Sequence, residues 1–572
     1  MSSQLSISIG QYSNKGRKEI NQDFHGVYIP QEPLLTSKGI ALAIADGISS
    51  STVSQIASAA TVRGFLEDYF CTSEAWSVKK SAQRVLDATN SWLHAQTRHS
   101  QYRYDNNKGY VCTLSAMVLK STTAYLFHTG DTRIYRLRDN GLEQLTTDHR
   151  LWIAPDKSYL SRAMGINPQL EIDYAEVPLA VDDMFMLLTD GVYDFVAARF
   201  MIAAVSEHSS DLDKAAQAIV AEAYANGSTD NLTAQLIRID TLPDLASNAI
   251  NPHLNTLPLP PLLDARMDFD GYHIVRKLHA SSRSHVYLAT DAQAGRCVIK
   301  TPSIDLGNDA AYLERFQMEE WIARRINSAY VLKNFPAARK RNYLYLVTEY
   351  LDGQTLSQWM IDHPRPDLET VRNIVEQIAK GLRAFHRLEM LHQDLRPDNV
   401  MIDSTGTVKI IDFGSVNVAG IQEIATTAEQ PAILGTAQYT APEYFLSENG
   451  TWRADQFSLG VIAYQMLSGK LPYGAEVAKT RTKAAQRNLH YHSVLADERA
   501  LPAWLDDVLR KAVHPDPYQR YDDLAEFVHD LRKPSQAFLN KTRPPLIERN
   551  PVAFWQGLSL FLVLVIVVLL MT

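Results

Sequence analysis

Between Thr241 and Asp270 the chain reads TLPDLASNAINPHLNTLPLPPLLDARMDFD, with five prolines and no hydrophobic period. Proline removes a backbone donor and fixes φ, so neither a helix interior nor a central strand can run through this stretch. The stretch reads as a linker or a strap across the surface, and 572 residues exceed what one compact core usually holds, so at least two domains are expected. The two sides also differ in pattern. Residues 5–240 hold short apolar runs, among them GIALAIAD, CTLSAMVL, TAYLFHTGD, DMFMLLTDG and LTAQLIRI, which predict strands. Helices are expected between them, around Val53–Tyr69 and Asp213–Asn226. Residues 271–533 open on strands and turn to long amphipathic helices such as Val371–Arg387. The expected fold class is α+β and multidomain, with residues 241–270 as linker.

A third pattern closes the chain. Nothing charged follows Arg549, and residues 552–571 read VAFWQGLSLFLVLVIVVLLM. About 20 apolar residues span roughly 30 Å as a helix, enough to cross a bilayer. Lys541, Arg543 and Arg549 lie in the preceding stretch, 534–551, which reads as a juxtamembrane segment. Basic flanks stay cytoplasmic, and the opening MSSQLSISIGQYS has no apolar signal-peptide core. The expectation is a single-pass anchor in the cell inner membrane with the two domains in the cytoplasm.

Composition excludes other classes. The formal charge of −8 gives no broad basic surface, so nucleic acid is not an expected partner. Three cysteines, Cys71, Cys112 and Cys297, are far apart and form no C-x-x-C pair. That argues against a disulfide scaffold and a thiolate zinc site.

In the first domain, apolar runs lead to aspartates: ALAIAD46-G47, MFMLLTD190-G191 and the turn GSTD230-N231. Buried strands hold their ends rigidly, and clustered carboxylates repel unless a cation sits among them. An all-oxygen donor set suits Mg²⁺ or Mn²⁺. Together with R17-K-E-I-N-Q-D23, T129-G-D131-T-R133, L145-T-T-D-H149 and L160-S-R-A-M-G165, this order resembles the metal-dependent Ser/Thr protein phosphatases, the PPM family. The resemblance implies an α/β/β/α four-layer sandwich over residues 5–240. It implies that Asp46, Asp190 and Asp230, with the Gly47 carbonyl and Asp23 nearby, hold two metal ions, and that Asp131 supports a third. It assigns the substrate phosphate to a basic residue of the opening motif, Lys18 or its neighbour Arg17. The chain departs from the family at Gln22, where a glutamate ligand is usual, with Glu19 close by in sequence.

The second domain carries R296-C-V-I-K300, Glu319 on L313–I326, L391-H-Q-D394-L-R-P-D-N399, I410-I-D412-F-G414, G435-T-A-Q-Y-T-A-P-E443 and A454-D455. A strand lysine paired with a helix glutamate can place nucleotide phosphates, and an aspartate five residues before an asparagine can serve a hydroxyl and a metal ion together. In this order the elements resemble the eukaryotic-type, or Hanks-type, protein kinases over residues 271–533. The resemblance implies a bilobal fold that binds ATP and Mg²⁺. Lys300 and Glu319 would place the phosphates, Asp394 the substrate hydroxyl, Asn399 and Asp412 the Mg²⁺, and Arg396 the γ-phosphate. Ser281, Ser284, Glu349 and Leu351 would line the nucleotide site. The usual glycine-rich loop is replaced by H279-A-S281-S-R-S284, and Gln393 stands where an arginine is usual.

The two resemblances imply one chain that phosphorylates and dephosphorylates Ser/Thr of proteins. Its partners would be protein substrates, its own activation loop at Thr426, Thr427 or Thr436, the membrane, and a second copy of itself. The alternative is an active phosphatase regulated by a catalytically weak, kinase-like nucleotide-binding or scaffolding domain.

Overall fold

The computed structural model describes residues 4–105, 108–154, 157–243, 257–281, 283–291, 295–306, 309–335, 341–423, 438–496, 501–541, 555–556 and 558–563. The chain divides into two compact units.

The first unit is built on two five-stranded antiparallel sheets. One runs in the order Ser6–Asn14, Leu232–Thr241, Met184–Leu188, Arg133–Arg138, Gly141–Gln144. The other runs Asp173–Pro178, Thr123–Thr129, Leu114–Lys120, Ile40–Ala45, Phe24–Tyr28. The Ile40–Ala45 strand shows why they stack. Side chains alternate along a strand, so Ile40, Leu42 and Ile44 meet Phe185, Leu187 and Ile237 of the other sheet. Ala41, Ala43 and Ala45 face outward onto Phe65, Tyr69 and Leu86 of the helices Ser54–Cys71 and Val78–His99. The small alanines let those helices lie close. On the far side, Met184, Met186 and Leu188 pack on Ile219 and Val220 of the helix Leu212–Ala225. The result is helix, sheet, sheet, helix, with three apolar seams.

Two short later segments, Leu388–Met390 and the described residues 417–423, group with this unit. Within it, the buried Lys120 ammonium donates to Glu423 Oε2 at 3.0 Å and to the Gly420 carbonyl. Ser77 N–H donates to Glu389 Oε2 at 2.8 Å and Val78 N–H to Glu423 Oε1 at 2.9 Å, so two carboxylates satisfy the first turn of the Val78–His99 helix.

The second unit opens on an antiparallel meander in the order Asp268–Phe269, Tyr272–Ala280, Ser284–Asp291, Gly295–Pro302, Leu346–Glu349, with the helix Ala310–Arg325 inserted before its last strand. Helices then dominate: Leu368–Arg387, Trp452–Ser468, Trp504–Ala512 and Leu524–Arg532. The sequence reading started the first of these three residues late, at Val371. A further helix, Gln536–Lys541, falls where a juxtamembrane segment was expected. Of the expected membrane span, most lies outside the described residues; 555–556 and 558–563 are helical. Among the described residues no helix is long and apolar enough to cross a membrane.

A buried ion pair ties the helical part together. Arg520 Nη1 and Nη2 donate to Glu443 Oε1 and Oε2 at 2.9 and 2.8 Å, and the same guanidinium donates to the carbonyls of Arg453 and His514. Removing one partner of such a pair costs about 3–5 kcal/mol, because the other charge stays buried. Arg520→Met is therefore expected to lower the stability of the second unit by about that amount, and Glu443→Gln by less, since the amide still accepts hydrogen bonds. Urea unfolding followed by tryptophan fluorescence measures both.

Candidate active sites

Strand register gathers the acidic residues of the first unit. Leu188 pairs with Ala234 on one side and Arg133 on the other, so Asp190, Asp230 and Asp131 leave the same end of one sheet. In the other sheet Ala45 pairs with Phe24, which brings Asp46 beside Asp23. The turn before Arg133 is made by Gly130, whose φ is +108° and whose Cβ would fall 2.5 Å from Thr113 Cβ. Thr113 in turn holds the Asp46 backbone, donating N–H to its carbonyl at 2.8 Å and accepting its N–H at 2.9 Å.

The cluster is electrostatically costly. Burial, then the charges of Asp23, Asp190, Asp131 and Asp230, hold the Asp46 carboxyl well above the usual range. Burial raises Asp23 to about 6 although Thr233 and Thr189 donate to its Oδ2. Burial, then Asp131 and Asp230, raise Asp190 to about 7. Among the described residues, Asp23 Oδ1 and Asp190 Oδ1 are buried with no hydrogen-bond partner. Hard anionic oxygens without donors are what a divalent cation satisfies, so the donor set fits Mg²⁺ or Mn²⁺. Among the described residues no group of three or more Asp, Glu, His or Cys side chains is already set to hold a metal ion. Cations of the chain stand there instead. Lys18 Nζ lies 3.2 Å from Asp230 Oδ1, and Arg150 bridges Asp131 Oδ2 at 2.6 Å and Asp190 Oδ2 at 2.8 Å.

Several expectations change in detail. Of the two basic candidates, Lys18 faces the carboxylates and donates to Ser49 Oγ, while Arg17 donates to the carbonyls of Gly227 and Tyr224 and covers the Tyr224 ring. Arg17 thus closes the end of the Leu212–Ala225 helix. The Gln22 amide donates to Ser51 O and Ser54 Oγ, a structural task, and Glu19 is exposed. Asn231, absent from the expected site, secures the opening loop by accepting Gln22 N–H and donating to the carbonyls of Lys15 and Ile20. Cys112 sits behind the site, bridging Gly47, and burial pushes its thiol up to about 12, so it stays protonated and is no nucleophile.

In the second unit Lys300 Nζ donates to Glu319 Oε1 and Oε2 at 2.8 and 2.7 Å and lies 3.3 Å from Asp412 Oδ1. Burial raises Glu319 to about 7 against the pull of Lys300. Burial would raise Asp412 too, but Lys300 and the Gly414 N–H outweigh it and hold Asp412 at about 2. Asn399 Nδ2 donates to the Asp394 carbonyl at 2.8 Å and to Asp394 Oδ2 at 3.2 Å. Arg396 Nε is 3.8 Å from Asp394 Oδ2. Buried Asp455, named in the sequence only as part of a motif, organises the catalytic loop. It accepts N–H from His392 and Gln393 at 2.9 Å each and bonds His386 Nε2 at 2.8 Å, which lets Gln393 sit at φ +64°.

The nucleotide side differs from expectation. The Ser281 hydroxyl accepts N–H from Arg283 at 3.2 Å and Ser284 at 3.1 Å and donates to the Ser284 carbonyl, which closes its own turn. Glu349 accepts from Lys333 N–H and Lys409 Nζ, and Leu351 is half-buried just beyond that strand. Thr426, Thr427 and Thr436 lie outside the described residues.

The raised carboxyls give the metal-stripped first unit a pH dependence. They hold protons to higher pH folded than unfolded, so stability is greatest in mild acid and is lost as pH rises through about 6 to 7. In chelator, the melting temperature of this unit is expected to be higher at pH 5.5 than at pH 8. Asp46→Asn should raise the pH 8 value and flatten the difference, as differential scanning calorimetry would record.

Residues 11–236 match the family model described as Protein phosphatase 2C, and residues 272–530 the model described as Protein kinase domain. The serine/threonine-protein kinase PrkC of Bacillus subtilis is 27% identical over 268 residues, covering 46% of this chain and 40% of that protein. The serine/threonine-protein kinase PknL of Mycobacterium tuberculosis is 28% identical over 272 residues, covering 47% of this chain and 66% of that protein. The chain thus spans less than two thirds of either relative. The solved Mycobacterium tuberculosis serine/threonine phosphatase PstP/Ppp is 22% identical, with a TM-score of 0.35, over 41% of this chain and 99% of that one.

Proposed function

Because residues 11–236 belong to the protein phosphatase 2C family and residues 272–530 to the protein kinase domain family, we propose that this chain is a bifunctional signalling enzyme. In this reading it transfers phosphate from ATP to Ser/Thr of proteins and hydrolyses phospho-Ser/Thr. The observation that carries it is the assembled Lys300–Glu319–Asp412 constellation in a chain that also gathers five aspartates at its sheet ends.

In the phosphatase half, Asp46, Asp190 and Asp230, with the Gly47 carbonyl, would hold two divalent ions. Bound there, Mg²⁺ or Mn²⁺ lowers the pKa of water and neutralises phosphoryl charge. Lys18, already at the cluster edge, would draw the substrate phosphate toward it. Asp23 braces Asp46 through the strand pair and is itself fixed by Thr189 and Thr233.

In the kinase half, Lys300 is held by Glu319 to grip nucleotide phosphates, and Asn399 and Asp412 would hold Mg²⁺, which screens phosphate charge. Asp394, steadied by Asn399, accepts the proton of the attacking hydroxyl, and Arg396 beside it can chelate phosphate oxygens. The second reading is a catalytically weak, kinase-like module that regulates the phosphatase. It is favoured by the Ser281 hydroxyl being spent inside its own turn.

The membrane is part of the proposal. Residues 552–571 carry no charge and are apolar apart from Gln556, Gly557 and Ser559, and Leu560, Phe561, Leu562 and Val563 are exposed on the described helical turn. A helix showing apolar side chains to its surroundings suits lipid, and the basic flank suits a cytoplasmic face.

Labelled ATP with Mg²⁺ and a generic basic protein test the kinase; an aryl phosphate with Mn²⁺ tests the phosphatase. Asp394→Ala should lower transfer about 10²–10⁴-fold and leave hydrolysis unchanged, while Asp46→Ala should abolish hydrolysis and spare transfer. No transfer by the parent would favour the second reading. In a separate flotation assay the full chain should rise with anionic vesicles and a chain ending at Asn550 should not.

A further inference from the structure

The Asp131–Asp190 pair is crossed by a guanidinium. Arg150 is 12% exposed, and its Nε and Nη2 reach Asp131 Oδ2 and Asp190 Oδ2 at 2.6 and 2.8 Å, with Nη1 3.8 Å from Asp194 Oδ2. We propose that Arg150 is a built-in cation of the phosphatase cluster, locking Asp131 to Asp190 so that this pair is neutralised by the protein and takes no divalent ion. The inference rests on the phosphatase reading and deepens it: divalent ions are confined to the oxygens that Arg150 leaves free.

Geometry and charge support the assignment. A divalent ion bound by both carboxylates needs oxygens at about 2.0–2.6 Å, in the space the guanidinium fills. The arginine fork meets both carboxylates with separate N–H groups, a fixed arrangement that a solvated ion does not have. A second arginine of the same sheet end, Arg133, is committed elsewhere. Arg133 makes a two-pronged bond to Asp148 at 2.9 and 2.7 Å and lies 3.7 Å over the Tyr193 ring. Tyr193 in turn donates to the Asp131 carbonyl at 2.7 Å, so Asp131 is held at both backbone and side chain. Asp190 divides its oxygens: Oδ2 goes to Arg150, and Oδ1, buried and without a partner among the described residues, is left for an ion. Arg150 is thus a positioning residue, setting where Asp190 points and how many ions the cluster admits.

Equilibrium dialysis of the full chain against Mn²⁺ without nucleotide, followed by metal analysis, tests this. Arg150→Met should bind one more Mn²⁺ per chain than the parent, and Arg150→Lys should restore the parent number. Adding Asp131→Asn to Arg150→Met should remove the extra ion. In chelator Arg150→Met should melt below the parent and recover more on adding Mn²⁺. Equal Mn²⁺ counts in parent and Arg150→Met would overturn the proposal while leaving the phosphatase reading intact; no Mn²⁺ on the parent would overturn both. If Arg150→Met does not fold, Arg150→Gln carries the same comparison.

Discussion

Buried carboxylates that need a positive partner shape both units. In the first, five aspartates converge where two sheets end, and burial, then their mutual repulsion, keeps several of them hard to ionise. In the second, Glu319 and Asp412 share the single ammonium of Lys300. Without a cation, each arrangement would be opposed by the cost of placing like charges together away from water. The framework around them exists to hold that arrangement still. Antiparallel register fixes the sheet ends, Thr113 and Asn231 pin the loops, and Asp455 pins the catalytic loop of the second unit.

The two units solve the same problem differently. The first leaves oxygens of Asp23 and Asp190 without donors, an arrangement that suits exchangeable divalent ions. It also supplies Lys18 and Arg150 from its own chain. The second meets Glu319 with the Lys300 ammonium and Asp412 Oδ1 with Lys300 and the Gly414 N–H, and pairs Asp394 with Asn399.

Much of this was legible before folding was considered. Apolar runs ending in Asp46 and Asp190 pointed to carboxylates at strand ends, and the order of Lys300, Glu319, Asp394, Asn399 and Asp412 pointed to residues that the fold brings together as Lys300 with Glu319 and Asp412, and Asp394 with Asn399. What escaped was non-local. Arg150 follows Asp148 and His149 in a stretch read only as a motif, and nothing in its neighbours says that it reaches Asp131 and Asp190. Arg17 and Lys18 are adjacent and alike in charge, yet the backbone sends one to Gly227 and the other to Asp230. Ser281, expected at the nucleotide site, closes its own turn with its hydroxyl.

The sequence by itself determined which carboxylates end buried strands and that the tail is apolar, whereas of the expected 241–270 linker Leu263 and Phe269 are buried in the core of the second unit. The strand ends and the apolar tail follow from hydrophobic period, which acts over a few residues. Only the tertiary structure decided which cation meets which carboxylate. Ion pairs join side chains distant in sequence, 40 positions apart for Arg150 and Asp190 and 19 for Lys300 and Glu319, and their choice depends on sheet register and helix packing that no short stretch of sequence contains.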